Sequence, residues 1–166
     1  QASGVHIHLV GSNPTQAVRE LACERVHVAG FVSDEDLAGY YQRCRVVVAP
    51  LRYGGGMKGK VVEAMRFGVP TVTSAAGVQG LAEALDFLAV ADDAGGFASH
   101  VLRLLDDDAE WLRVSKAAQA FARERFSEDA PWDVVAKDID ATAYANVQAR
   151  RERVAAVRAG RKRGGT

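Results

Sequence analysis

Short β-branched runs alternate along this chain with stretches whose apolar residues recur at helical spacing. The segments 5–10, 26–29, 45–49, 71–73 and 87–90 have strand character. Between them, 15–23, 34–44 and 57–67 place their apolar residues on one helical face. Strand, helix, strand at this rhythm predicts βαβ units on a parallel sheet. The run Val46, Val47, Val48, Ala49 is apolar on both faces, which predicts a strand covered by helices on both sides. After residue 94 the strand pattern ends, and 97–105, 108–126 and 128 to about 159 read as three successive helices, with Pro131 in the first turn of the last.

Punctuation agrees with these boundaries. Ser33, followed by three acids and spaced from Asp36 as in a capping box, predicts a helix start. Gly68 followed by Pro70 predicts a helix stop. Asp106, Asp107 and Asp108 read as the cap of the next helix, whose first turn carries Glu110.

The chain has 166 residues, 48% hydrophobic and 25% charged, an ordinary globular mix that excludes a disordered or fibrous protein. No apolar stretch approaches the roughly 18 residues of a membrane span, and no basic-then-apolar leader opens the sequence. Cys23 and Cys44 form no CxxC motif; they are expected to be small buried residues, and the chain to be cytoplasmic. The zero net charge hides an asymmetry: residues 150–166 carry seven basic side chains against one acid, Glu152. This divides the chain into a domain over 1–149 and a basic helix end with a frayed tail over 150–166. Its default reading is a solvated helix end, with peripheral contact to an anionic membrane surface as the second. Nucleic acid is not an expected partner, because no aromatic residue is interleaved with the arginines for base stacking.

The chemistry concentrates in 50–65. This segment follows an apolar strand and leads into a helix, so it lies at the carboxyl edge of the sheet, where open α/β folds bind ligands. Gly54, Gly55 and Gly56 let backbone amides approach a ligand, and the following helix offers unpaired N–H groups to an anion. Lys58 and Lys60 add positive charge, and Glu63, within two turns, can accept from a vicinal diol such as ribose. The alternatives at this level are a tight turn with a surface Lys60–Glu63 pair, or an anion or nucleotide site of unspecified kind. Neither GxGxxG nor GxxxxGK[ST] is present. His6 and His8, two apart, face one side of a strand, but no Cys, Asp or Glu at ligand spacing completes a metal set. His27 and His100 are isolated, and no serine has the neighbours of an activated nucleophile.

The ordered motifs 8–14, 28–32, Asp36-Leu37 with Tyr40-Tyr41, 46–50, 54–65, 68–73 and 77–81 resemble the C-terminal, nucleotide-sugar-binding domain of family 4 (group 1) glycosyltransferases of the GT-B fold. The resemblance covers roughly 5–140. It implies a Rossmann-like parallel sheet flanked by helices, with further C-terminal helices, that binds a nucleoside diphosphate sugar and serves transfer with retention, without a cofactor or a protein-bound metal. A non-catalytic nucleotide-binding or interaction module on the same fold is the alternative.

By that resemblance Glu63 contacts the donor ribose, Gly55, Gly56, Met57, Lys58 and Lys60 lie at the diphosphate or sugar, and Phe31 and Val32 lie against the nucleobase. The family often has two glutamates eight positions apart; Glu63 matches the second, and the first falls on Gly55. The resemblance also implies a first strand and helix before Val5 and an N-terminal acceptor domain as partner. The expectations are therefore an exposed sheet edge or a gap, self-association through that edge, and no transfer by this chain alone.

Overall fold

A computed structural model of the chain describes residues 4–126. The expected helix at 128–159, Pro131, the 149/150 boundary and the basic tail lie outside the described residues. The chain divides into two compact units, Gln1–Arg123 and Glu124–Thr166; the architecture below is that of the first.

Five strands and five helices follow in the order β1 (Ile7–Val10), α1 (Gln16–Arg19), β2 (Val26–Gly30), α2 (Asp34–Arg43), β3 (Val47–Ala49), α3 (Gly59–Phe67), β4 (Thr71–Thr73), β5 (Ala89–Val90), α4 (Ala94–Asp106) and α5 (Asp108–Phe126). Two 3-10 turns, Ala75–Gly77 and Ala82–Asp86, separate β4 from β5. All strand pairs are parallel. They form two sheets, β1–β2 and β3–β4–β5, rather than one. β1 and β3 are not paired with each other, and each ends its sheet. The sheet is thus interrupted between β1 and β3.

Local chemistry explains the helix boundaries. Ser33 Oγ accepts from the Asp36 amide at 3.1 Å and donates to Asp36 Oδ2 at 2.7 Å, so the acid completes the cap through the hydroxyl. Asp93 caps α4 by accepting from the Gly96 amide at 2.9 Å. Asp107 does the same for the Glu110 amide at the start of α5, as the triple aspartate predicts. Gly68 ends α3 with φ of 71°, a left-handed geometry that costs a β-carbon dearly. The helix expected over 15–23 is only the single turn Gln16–Arg19.

The core lies on both faces of the three-stranded sheet. Val72, Ala89, Leu104 and Val114 pack with Val46, Phe97 and Val101 on the α4 and α5 side. Tyr41, Ala64 and Val69 pack with Leu37, Cys44 and Val47 on the α2 and α3 side. Arg45 locks the first side: its Nε donates to the Leu104 carbonyl at 3.1 Å, and its backbone carbonyl accepts from Trp111 Nε1 at 2.7 Å.

Two expectations fail. Val48, on the Val46 face by the two-residue period, is 41% exposed, because β3 is an edge strand and its outer margin is uncovered. Cys23 is exposed rather than buried, since α1 ends early and Cys23 instead sits in a tight turn bridged to Val26. Among the described residues no helix is long and apolar enough to cross a membrane.

Candidate functional site

The segment between β3 and α3 is fixed from below by β4. Thr73 Oγ1 donates to the Ala49 carbonyl at 2.9 Å, and Ser74 Oγ donates to the Leu51 carbonyl at 2.5 Å. Both hydroxyls are buried at the carboxyl end of β4 and tie the departing chain of β3 to its neighbour. Gly77 closes over them: a β-carbon there would lie 1.8 Å from Thr73 Oγ1. Ala75 is held in turn by its amide donating to Asp92 Oδ1 at 2.9 Å. The partners of Thr73 and Ser74, Ala49 and Leu51, lie 24 and 23 positions away at the end of the neighbouring strand and just past it, so no local spacing reveals this support.

On this base the glycine loop folds around Lys58. Its ammonium donates to the carbonyls of Gly54, Gly55 and Gly56 at 2.7, 3.1 and 2.7 Å. All three ammonium hydrogens are thereby matched to backbone acceptors. Gly54 and Gly56 have φ of 133° and 69°, so both require glycine, whereas Gly55 has open space around its α-carbon and no positive φ. Met57 is 49% exposed and lies beside Gly80, where a β-carbon would stand 3.6 Å from the Met57 β-carbon. The loop and the 77–81 motif are therefore neighbours.

The helix that follows has no side-chain cap: Lys58 occupies the N-cap position, and its side chain turns back to the loop. Backbone donors at the start of α3 and the positive end of its dipole thus open at the carboxyl end of β3 without a competing acceptor from a capping side chain. One turn further in, Glu63 Oε2 accepts from the Tyr41 hydroxyl at 3.2 Å. Tyr41 also stacks on Phe67 at 5.0 Å between ring centres, so α2 and α3 hold the carboxylate from behind. Burial first, then the Glu63 charge and the hydrogen bond to it, push the Tyr41 phenol well above its ordinary value. It stays protonated and remains a donor.

Of the expected site residues, the structure brings Gly55, Gly56, Met57 and Lys58 together in one loop, with Glu63 on the helix it leads into. Lys60 is exposed on the first turn of α3, and the surface Lys60–Glu63 pair is replaced by the bond from Tyr41. Phe31 and Val32 lie between β2 and α2. Phe31 is 81% exposed and makes no ring contact among the described residues. A cavity of about 340 Å³ lies elsewhere, lined by Phe87, His100, Arg103, Glu110 and Arg113 among others. Its arginines are occupied by Glu110, which Arg113 grips at 2.7 and 3.0 Å. The arrangement over 54–63 suits an anion at the helix mouth and a hydroxyl-bearing group at the carboxylate.

The family described as "Glycosyl transferases group 1" matches residues 1–107. O-antigen chain mannosyltransferase B of Escherichia coli is 36% identical over 106 residues, which are 61% of this chain and 26% of that protein. The chain thus spans about a quarter of that relative's length. Among solved structures, Anabaena HepE in complex with UDP matches 74% of this chain and 37% of its own, at 23% identity and a TM-score of 0.62. In complex with UDP-glucose the figures are 80%, 41%, 22% and 0.64. Sucrose-phosphate synthase from Thermosynechococcus elongatus matches 90% of this chain and 38% of its own, at 26% identity and a TM-score of 0.62.

Proposed function

This chain belongs to the group 1 glycosyl transferases, and on that footing we propose that it binds the donor, a nucleoside diphosphate sugar, for transfer of the sugar to an acceptor. Its mixed α/β architecture, parallel sheets flanked by helices, is that of GT-B glycosyltransferases.

The observation that carries the reading is the pairing of α3's N-terminus, free of a side-chain cap, with Glu63 held one turn behind it by Tyr41. A diphosphate at the helix mouth receives backbone N–H bonds and the dipole's positive end. The ribose hydroxyls then reach the Glu63 carboxylate, whose Oε2 is held by Tyr41. Lys58 and exposed Lys60 add charge as the diphosphate leaves, which is electrostatic stabilisation of a developing anion. Lys58 must give up carbonyl contacts to do so, so donor binding reorders the glycine loop. Phe31 and Val32 supply the wall for the base. Transfer with retention and without a protein-bound metal follows the family resemblance.

Support for the donor class comes from HepE, solved with UDP and UDP-glucose, and from the mannosyltransferase relative. The chain spans about a quarter of the mannosyltransferase relative's length, and on this reading it binds donor without transferring its sugar when alone. A loop that serves only as a turn, in a non-catalytic module, is the second reading; the three bonds from Lys58 to the loop's own carbonyls favour it.

Calorimetric titration with UDP, GDP and ADP, with AMP and NAD as controls, separates the two. Saturable binding of one diphosphate supports a donor site and names its base. No binding of any diphosphate by folded protein leaves the loop as a turn.

A further inference from the structure

Three histidines that the sequence scatters are brought to one face of the β1–β2 sheet. His6 and His8 are two apart on β1's side of the pair, and His27 on β2 lies directly opposite His8 in the parallel register. His6 Nδ1 lies 3.1 Å from His27 Nε2. Their ring planes differ by only 11°, and the 5.4 Å between centres is what that contact and the two ring radii make up. The rings therefore meet edge to edge, one nitrogen donating its proton to the lone pair of the other, with the roles set by the tautomer. His8 stacks on His27 at 4.9 Å between centres. From α2, Tyr40 lies 5.5 Å from His8 between ring centres, and the Arg43 guanidinium lies 5.7 Å from the Tyr40 ring centre. All three imidazoles are exposed.

We propose that His6, His27 and His8 form a binding site for a divalent first-row transition metal ion, with Zn²⁺ as its probe. Imidazole nitrogen is a preferred donor for this class of ion. Two nitrogens on one tetrahedral zinc, each about 2.0–2.1 Å from it, stand about 3.3–3.4 Å apart, close to the separation already present. Among the described residues no three His, Cys, Asp or Glu side chains are already arranged to hold a metal. The ion takes the place of the hydrogen-bonding proton, which moves to the other nitrogen of its own ring. The soft imidazole torsion then lets His6 and His27 turn toward a common point and His8 swing in as third ligand. Exposure leaves room for these rotations and for water to complete the shell.

The site lies on His8 of β1, His27 of β2 and His6 just before β1, and it shares no residue with the glycine loop or α3. Its effect is to staple two strands that form a sheet by themselves, an arrangement that gains little stability from pairing alone. Protons compete for the same nitrogens, so affinity falls as the solution is acidified.

The test is calorimetric titration of the full chain with Zn²⁺, with thermal melting in Zn²⁺ against EDTA. The expected result is saturable binding of about one ion per chain and a higher Tm with zinc. Affinity falls by about tenfold or more in His6→Ala and His27→Ala, falls in His8→Ala, and holds in His100→Ala. Circular dichroism establishes folding of each variant, and His→Gln replaces any alanine variant that does not fold. Absence of saturable binding at millimolar zinc, or binding that survives loss of His6 or His27, overturns the site. Binding unchanged in His8→Ala overturns the three-ligand assignment.

Discussion

The Tyr41 hydroxyl donates to Oε2 of Glu63 across 3.2 Å, joining the buried face of α2 to the helix behind the glycine loop. The two residues are 22 positions apart. The bond fixes one carboxylate oxygen and leaves the other without a bond from Tyr41, so Tyr41 is a positioning residue for the proposed ribose contact. Tyr41→Phe keeps the stacking on Phe67 and removes only the hydroxyl. It is expected to weaken nucleoside diphosphate binding about fivefold, the equivalent of one ordinary hydrogen bond, with little change in Tm. Tighter binding in Tyr41→Phe, measured by calorimetry, would mean that Tyr41 competes with the ligand for Glu63.

Lys58 performs two tasks in this account, holding the loop closed and meeting the diphosphate. Lys58→Met removes the three carbonyl contacts. Backbone order parameters at residues 54–56 should fall, and diphosphate affinity should fall about tenfold with a weaker dependence on salt. Unchanged order parameters would show that the loop holds its shape without the ammonium.

Glycines of the two motifs differ sharply in what they tolerate. Gly77→Ala drives a β-carbon to 1.8 Å from Thr73 Oγ1, which is itself committed to Ala49. A loss of about 2–3 kcal/mol is expected, with Tm down by several degrees. Gly55→Ala meets nothing within 4 Å and should stay within about 0.5 kcal/mol of the parent. Equal Tm values for the two variants would contradict the packing described around Thr73.

Which parts of this were legible in the sequence follows from the range of the interactions. Ser33, Gly68 and the 106–108 aspartates act on residues three or four positions away, so spacing alone located them. The glycine loop and Glu63 lie in one unbroken segment and were likewise readable. Tyr41–Glu63, His8–His27 and Thr73–Ala49 depend on strand order and register, which no local pattern encodes. Val48 failed for a related reason: an all-apolar run has the same pattern at a sheet's centre and at its edge.

Acid should destabilise this domain through identifiable groups. The Gly96 amide chiefly holds the Asp93 carboxyl below its ordinary value, and the hydrogen bond from Arg113 does the same for Glu110. A carboxyl lowered in the folded state binds fewer protons there than in the unfolded chain. Its contribution is therefore present above the ordinary carboxylate pKa of about 4 and is lost as pH falls through the lowered folded value. Glu110→Gln should melt lower at neutral pH and lose less Tm than the parent on acidification. A parallel shift at every pH would contradict the assignment.

The unpaired edges of β1 and β3 carry a further expectation. Ile7 in β1 and Val48 in β3 are 45% and 41% exposed, and each strand ends its sheet. Such edges invite another strand, from a longer protein or a second copy. Sedimentation velocity should show concentration-dependent association of the chain, reduced in Val48→Lys. A monomer at all concentrations would contradict edge-mediated association.

The central claim is that the Glu63 carboxylate receives the ribose hydroxyls of the donor. A thermodynamic cycle tests it: the affinity of the preferred nucleoside diphosphate and of its 2′,3′-dideoxy counterpart, each for the parent and for Glu63→Ala. The account predicts that losing either the hydroxyls or the carboxylate weakens binding by about tenfold or more, and that losing both costs little beyond losing one. Equal and additive losses would show that Glu63 and the ribose do not meet.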